Sequence, residues 1–314
     1  MITEEKSPAS SSLNIAMHAS INANESTLNK KNPLRAGIGM WWQGLNWQEY
    51  GAEFLGTAFL VFAGLSVVVF NFGPNAPLAD VLSPSVRRLL TGLLFGSCGS
   101  LVAISPLGKL SGAHINPAVS FAFWLHGKLH LHDLVGYIVA QLLGACLGTA
   151  LLVGCWGSSA ISLHDGATAP GASYDLWLVF AAEVAMTGLL VLLIFICVSH
   201  PRLMRWTPLL TIFLIGLIVW LEAPISGASL NPARSFGPSV FSRFWEAQWI
   251  YYIAPPLGAA LAVGLYRLGA RADQDVLTCK LFHVRHYRSI FKNLRTHHLV
   301  TTNHSLQPDN ELGC

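Results

Sequence analysis

Six long apolar runs, separated by short polar stretches, set the pattern of the chain. A bilayer core about 30 Å thick needs about 20 apolar residues in a helix that rises about 1.5 Å per residue. The runs that meet this length cover residues 50–72, 89–107, 134–156, 176–199, 206–225 and 249–268. The pattern therefore predicts an all-α membrane protein with six transmembrane helices.

Two shorter apolar pieces, residues 116–126 and 231–241, hold 11 residues each. Helices of that length reach only about half-way across a bilayer core. Each piece begins inside a motif that occurs twice, as SGAHINPAVS at 111–120 and as SGASLNPARS at 226–235, with seven of ten positions identical. Three full spans separate the two pieces, and because three is an odd number the second piece enters the membrane from the opposite face. The chain is therefore predicted to be an inverted repeat with two re-entrant half-helices.

Each short piece is predicted to start a helix at its asparagine. Asn is a favoured N-cap residue, and Pro is preorganised for the first helical turn. The predicted helix starts are Asn116, Pro117, Ala118 and Asn231, Pro232, Ala233. Because the two half-helices enter from opposite faces, we expect their N-termini to meet near the bilayer midplane, with the two asparagine amides as hydrogen-bond donors.

The backbone before each half-helix is expected to line a water-filled cavity. Non-helical backbone is tolerated at membrane depth only where it is buried in protein or lines such a cavity. The two segments are Gly112, Ala113, His114 and Gly227, Ala228, Ser229. Each half-helix carries about half a positive charge at its N-terminus, so the midplane disfavours cations and admits neutral molecules that donate and accept hydrogen bonds. Arg234, one helical turn beyond Asn231, adds a positive charge at the outer mouth.

Two acidic residues occupy matching places in the first span of each half. Glu53 lies in the sequence AEF and Glu183 in the sequence AEV. One interpretation makes them ligands for a transported ion. Their symmetric placement favours a structural role, in which each carboxylate accepts hydrogen bonds from the re-entrant backbone.

The composition restricts the class of protein. Hydrophobic residues make up 53% of the chain and charged residues 11%, whereas an average soluble domain carries about 25% charged residues. This deficit excludes an ordinary cytosolic globule. The net charge is only +3, which argues against a nucleic-acid-binding surface. The sequence has no nucleophile beside a base, no phosphate-binding loop and no zinc-type Cys/His spacing, so we expect neither catalysis nor a cofactor or metal.

The positions of the basic residues predict the orientation. If both tails lie inside, only Arg87, Arg88 and Arg243 fall on outer loops. This bias favours cytoplasmic termini. We therefore expect a multi-pass protein of the plasma membrane, or of the inner membrane of a bacterium.

The chain is predicted to have three regions. They are a polar, disordered N-terminal tail at 1–48, a channel domain at 49–268 with repeats at about 49–156 and 174–268, and a basic, His-containing C-terminal tail at 269–314. In the second tail, Val284, Tyr287, Phe291 and Leu294 form an apolar stripe beside basic residues. That pattern predicts either a helix at the lipid surface or a solvated basic segment.

The two Asn-Pro-Ala motifs, the paired glutamates and the six-plus-two layout resemble the aquaporin (major intrinsic protein) family over residues 49–268. The resemblance implies a six-helix bundle with two half-helices, assembled as a homotetramer in lipid with one pore in each subunit. It also implies a midplane constriction at Asn116 and Asn231 and an outer selectivity filter that contains Arg234. The remaining filter positions fall on Val219, on Ala228 and, in the second span, on either Phe95 or Gly96; we choose Phe95 by aligning the Phe-Gly pair.

The filter residues give mixed indications of the solute. Water-selective members usually carry His at the position of Val219, and Val with Ala resembles nodulin-like plant members, some of which are similar to glycerol facilitators. Ser235 and the Tyr251-Tyr252 pair are more similar to water channels. We expect a passive channel for water and small neutral solutes such as glycerol. The alternatives are a secondary transporter, since inverted repeats also occur there, and a non-conducting membrane packing protein.

Overall fold

The computed structural model describes residues 44–269 and 276–283. In chain order its helices are α1 (Trp47–Phe72), α2 (Pro84–Ile104), α3 (Pro106–Ser111), α4 (Pro117–Leu125), α5 (Leu131–Trp156), α6 (Ser158–Ile161), α7 (Leu176–Ser199), α8 (Thr207–Ser226), α9 (Pro232–Ser242) and α10 (Trp249–Gly269). Single 3₁₀ turns lie at His164–Gly166 and Met204–Trp206. Six of the helices are long and apolar enough to cross a membrane, which confirms the predicted all-α fold with six spans.

The second span differs most from its predicted bounds, since α2 begins five residues earlier and ends three residues earlier. The Ser83 side chain accepts a hydrogen bond from the backbone N–H of Val86, and Pro84 occupies the first helical turn. The apolar run begins only after Arg87 and Arg88, so the helix start at Ser83 and Pro84 precedes the run. A second Ser-Pro pair ends α2 and starts the short helix α3.

The two half-helices begin where the sequence predicts. The Asn116 side chain accepts from the N–H of Ala118 at the start of α4, and the Asn231 side chain accepts from the N–H groups of Ala233 and Arg234 at the start of α9. The half-helix α4 packs against α10, and α9 packs against α5. Each half-helix therefore packs against the third span of the opposite repeat, and these contacts connect the two repeats.

Glycines allow the first and third spans of each repeat to approach closely. A Cβ atom on Gly144 of α5 would overlap the carbonyl oxygen of Phe54 on α1, and one on Gly258 of α10 would overlap the carbonyl oxygen of Val184 on α7. Membrane helices lack a hydrophobic drive for association and depend on such close packing. The same kind of glycine contact thus occurs in both repeats, so the two halves are alike in their helix packing as well as in their motifs.

Residues 276–283 return to the bundle. The N–H of Leu277 donates to the carbonyl of Val198 on α7, and the N–H of Leu281 donates to the carbonyl of Gly112. The sequence places these residues in a basic tail outside the channel domain. Their contacts with the bundle could not be predicted, because they join residues that are distant in the chain. The apolar stripe that begins at Val284 and most of the expected N-terminal tail lie outside the described residues, although α1 begins at Trp47, inside that tail.

Gly144→Ala should destabilise the bundle, because its methyl group meets the backbone of α1. We expect a loss of about 1–3 kcal/mol, typical of an overpacked core, seen as a lower thermal midpoint in detergent. Gly154→Ala on the same helix is the matched control, since no atom lies within 4 Å of its added Cβ. Equal midpoints for the two variants would contradict this account of the α1–α5 contact.

Candidate functional site

Two reciprocal hydrogen bonds join the N-termini of the half-helices. The Nδ2 of Asn116 donates to the carbonyl oxygen of Leu230 at 2.8 Å, and the Nδ2 of Asn231 donates to the carbonyl oxygen of Ile115 at 2.9 Å. Each asparagine thus caps its own half-helix through Oδ1 and contacts the opposite repeat through Nδ2. An amide nitrogen carries two hydrogens, so each asparagine keeps one N–H for another acceptor.

The Glu53 carboxylate holds the first re-entrant segment. One oxygen accepts from the Ser111 hydroxyl at 2.6 Å and the His114 N–H at 3.0 Å. The other accepts from the Ile115 N–H at 2.6 Å and from the Gln141 amide at 2.7 Å. Because the carboxylate is fully buried and protein donors surround both oxygens, Glu53 serves the backbone of this segment.

Glu183 holds the second re-entrant segment in the same way. One oxygen accepts from the Ser226 hydroxyl at 2.5 Å and the Ser229 N–H at 2.8 Å, and the other accepts from the Leu230 N–H at 2.8 Å. Third-span tyrosines complete the pattern, since the hydroxyls of Tyr137 and Tyr251 donate to the carbonyls of Ser111 and Ser226, both at 2.7 Å. This role of the tyrosines is not predicted from the sequence, and their only signal is a similar distance along the chain from the motif serines, 26 residues for Tyr137 and 25 for Tyr251.

The re-entrant backbone adopts conformations that side chains rarely allow. Both segments contain residues with positive φ, namely Gly112, Ala113, Ile115, Gly227, Ala228 and Leu230. The left-handed region costs an L-residue about 1–2 kcal/mol, and the β-branched Ile115 is the least suited to it. The carboxylate and tyrosine bonds explain how this backbone is held.

A cavity of about 350 Å³ lies beside Arg234, and we name it the Arg234 cavity. Its lining includes Phe95, Val219, Ala228 and Arg234. Arg234 is 6% exposed, and its Nη1 donates to the carbonyl of Gly166 at 2.7 Å. The structure therefore brings together all four residues that the resemblance assigned to a filter, and the guanidinium also fixes the 3₁₀ turn that precedes α7.

The structure distinguishes Phe95 from Gly96. The Arg234 guanidinium carbon lies 5.8 Å from the centre of the Phe95 ring. Gly96 is absent from the lining of this cavity; it lies against Ile212 on α8 and lines a neighbouring cavity. Phe95, the residue chosen from the Phe-Gly pair, is therefore the second-span residue that stands beside Arg234.

A second cavity of about 100 Å³ lies beside the N-termini of the half-helices, and we name it the Asn116 cavity. Both asparagines line it, and four residues line both cavities: Phe95, Ile215, Ser229 and Leu230. The two cavities thus adjoin at residues that include Ser229 and Leu230, directly before the start of α9. Ile215 was not identified from the sequence, since it stands one helical turn before Val219 in an apolar run without any polar signal.

The predicted backbone lining is only partly found. Gly227, Ala228 and Ser229 line the Arg234 cavity, and His114 lines the Asn116 cavity. Gly112 and Ala113 line neither of these two cavities, and their place in the pore lining stays a prediction. The carbonyl of Gly112 accepts from the N–H of Leu281 at 3.1 Å.

His114 connects the first segment to the chain's C-terminal part. Its Nε2 lies 2.9 Å from the carbonyl oxygen of Cys279, and its Nδ1 lies 3.2 Å from the hydroxyl of Ser120. A carbonyl can only accept, so Nε2 carries a hydrogen. The ring also stacks on Phe123, with centres 4.7 Å apart, so His114 is held on several sides.

No group of three metal-binding side chains occurs within residues 44–269 and 276–283. The five cysteines in these ranges are free thiols. The expectation of a protein without metal or cofactor stays a prediction.

Comparison with known proteins decides the family. The sequence model described as "Major intrinsic protein" matches residues 40–266. The chain belongs to the major intrinsic protein family. It is 35% identical to Aquaporin TIP1-2 of Musa acuminata over 222 residues, which cover 68% of this chain and 83% of the relative. It is 36% identical to Aquaporin AqpM of Methanothermobacter marburgensis over 238 residues, which cover 69% of this chain and 94% of the relative.

A solved structure agrees with this assignment. The X-ray structure of the aquaglyceroporin from Plasmodium falciparum matches with a TM-score of 0.57 and 27% identity, over 70% of this chain and 94% of that one. Major intrinsic proteins are membrane channels and not enzymes, so this protein is an integral, multi-pass membrane channel.

Glu183→Gln should weaken the second re-entrant segment of this channel. Glutamine replaces one acceptor oxygen with an NH₂ group, which cannot accept from a backbone N–H, and a buried donor left unsatisfied costs about 1–3 kcal/mol. We expect a lower thermal midpoint in detergent and slower water flux in vesicles.

Glu222→Gln is the matched control for this prediction. Glu222 is buried at 3% exposure on α8, and its carboxyl lies close to Glu183, Ser226 and Ala228. Its neutral isostere removes the interaction of a like charge with Glu183, so the midpoint should stay or rise. Equal losses in the two variants would show that the Glu183 hydrogen bonds have no special role.

Proposed function

We propose that this major intrinsic protein is a passive channel for water and small neutral solutes such as glycerol, and that it excludes ions and protons. The observation that carries the proposal is the pair of adjoining cavities that share four lining residues, with both half-helix N-termini in the lining of one of them. This arrangement offers a path through the subunit that no carboxylate of the repeat motifs interrupts.

Electrostatics support the exclusion of ions. Each half-helix presents about half a positive charge at its N-terminus, and the two N-termini are within hydrogen-bond distance of each other's backbone. A cation at this point meets repulsion as well as the cost of losing water. A neutral molecule can accept from the remaining N–H of Asn116 or Asn231 and meets neither penalty.

The Arg234 cavity supports a solute larger than water. Val219, Ala228 and Phe95 line it together with Arg234, so the cavity combines apolar surface with the donors of one guanidinium. Glycerol has a carbon backbone and hydroxyl groups that fit such a surface. The similarity to an aquaglyceroporin structure supports the same solute class.

A secondary transporter is the less supported function. Coupling needs a titratable or ion-binding group at the midplane. The two glutamates in the repeat motifs instead accept from the re-entrant backbone. Their occupied oxygens favour a channel without coupling.

The proposal includes the setting of the channel. We propose that both termini lie in the cytoplasm of a plasma or bacterial inner membrane, in line with the excess of Lys and Arg in the tails and on one set of loops. We also propose a homotetramer in lipid, as the family resemblance implies. Large apolar side chains such as Leu143, Phe213 and Leu265 are exposed on the bundle and would face lipid or neighbouring subunits.

Reswelling in glycerol tests the proposed solute range. Proteoliposomes shrink when mixed with hyperosmotic sucrose or glycerol, and only a permeant solute lets them reswell. We expect rapid shrinkage in both solutes and reswelling in glycerol alone, followed by light scattering in a stopped-flow instrument. Rapid shrinkage without faster reswelling than in empty vesicles would restrict the channel to water.

Val219→His tests whether the Arg234 cavity determines the glycerol flux. Histidine narrows the Arg234 cavity and adds a polar group, and a change of this size in a binding pocket is worth about 1–3 kcal/mol. We expect glycerol flux to fall about tenfold relative to water flux. Val219→Ile adds bulk without polarity, so it separates the effect of width from that of hydrogen bonding. An unchanged glycerol-to-water ratio in both variants would place the filter elsewhere.

Arg234→Val tests the proposed barrier to cations. Repulsion between unit charges about 4 Å apart is worth about 1–4 kcal/mol at effective dielectric constants from 80 to 20, so proton or K⁺ flux should rise about tenfold or more. Arg243→Asn removes a charge at the end of α9, where the left-handed backbone (φ 56°) also suits asparagine. This control should leave ion flux unchanged. Equal ion flux in wild type and both variants would assign the barrier to the midplane.

A further inference from the structure

The segment 276–283 is bound at one end of the path through the subunit. Val276, Thr278, Cys279, Lys280 and Leu281 are all buried. Five of the eight residues in this stretch are thus buried. The segment therefore occupies a site on the bundle.

The first half of this site is the re-entrant backbone itself. The N–H of Leu281 donates to the carbonyl of Gly112 at 3.1 Å, and Nε2 of His114 donates to the carbonyl of Cys279 at 2.9 Å. The two hydrogen bonds join residues that are two positions apart in the re-entrant segment to residues that are two positions apart in the C-terminal segment. The segment thus takes an acceptor that an open path would offer to a solute.

The second half of the site lies on the surrounding elements. The Nζ of Lys280 donates to the carbonyl of Lys109 on α3 at 2.6 Å, and the N–H of Leu277 donates to the carbonyl of Val198 at 3.2 Å. The Cys279 thiol also points at the carbonyl of Lys128, at 3.7 Å. The segment is therefore attached to α3, to α7 and to the loop that follows α4.

Leu281 is the residue of the segment that reaches the path. Its side chain lines the Asn116 cavity together with His114, Asn116 and Val119. This cavity holds about 100 Å³, against about 350 Å³ for the Arg234 cavity. At the other end of the path, Gly227, the repeat partner of Gly112, lines the larger cavity. The two glycines thus differ in their surroundings, and the C-terminal segment that binds Gly112 is part of that difference.

We propose that residues 276–283 are a built-in plug, and that Leu281 closes the Asn116 end of the channel until the segment is released. The inference rests on the proposed function, since closure has meaning only for a conducting path. Flux through the wild-type channel then reflects the fraction of time for which the segment is away from its site.

Leu281→Ala in the full-length chain tests the plug. Removal of most of a buried leucine side chain should shift the balance between bound and released segment about tenfold. We expect water flux per channel in proteoliposomes to rise by up to that factor, with an unchanged thermal midpoint. Leu281→Met, which fills the same space, should behave as wild type. Leu277→Ala is the matched control, because Leu277 lies in the same segment and does not line the cavity.

Reaction of Cys279 with a maleimide gives a second readout that is independent of flux. Cys279 belongs to the segment, and its side chain is fully buried while the segment is bound. Its modification, followed by mass spectrometry of the Cys279 peptide, therefore reports release of the segment from the bundle. We expect Leu281→Ala to speed this reaction about tenfold and Leu277→Ala to leave it unchanged.

The outcomes separate the plug from the channel. Equal water flux above that of empty vesicles in wild type and Leu281→Ala, with equal Cys279 labelling, would overturn the plug and leave the channel standing. Flux at the level of empty vesicles in both would overturn the proposed function and the plug with it. Higher flux and faster labelling in Leu281→Ala alone would support both.

Discussion

The structure depends on one constraint, which is that backbone leaving a helix inside a membrane must find hydrogen-bond partners within the protein. The chain meets this constraint once in each repeat, with equivalent residues. A buried glutamate accepts from the N–H groups of each re-entrant segment, and a third-span tyrosine donates to its serine carbonyl. The asparagine amides then bind the carbonyls of the opposite segment. With the backbone satisfied in this way, two helix N-termini can face each other at mid-membrane.

The same parts explain the shape of the path. Because each half-helix packs on the third span of the other repeat, the junction is fixed from both sides. The Arg234 guanidinium binds the carbonyl of Gly166 and so couples the wide cavity to the turn that precedes α7. At the other end, the chain's own segment 276–283 covers Gly112. A symmetric scaffold thus supports an asymmetric path.

Much of this fold could be predicted because its signals are local. Six apolar runs, two Asn-Pro starts and a repeated motif need only the sequence to be recognised, and the Asn116 and Asn231 caps lie where those signals place them. The contacts that were not predicted join residues far apart in the chain. Ile215 carries no polar signal, and the bond from Leu281 to Gly112 links residues separated by four membrane spans. The start of α2 was predicted too late because Arg87 and Arg88 interrupt the apolar pattern that the serine cap precedes.

We propose that two half-helix N-termini, held amide to carbonyl, form a path that passes neutral molecules and excludes ions. Water and ion flux should be measured in the same vesicles, with osmotic shrinkage followed by light scattering and proton and K⁺ flux followed by entrapped dyes. We expect water flux well above that of empty vesicles, with ion flux at the level of empty vesicles. Ion flux that rises in proportion to water flux would contradict the proposal.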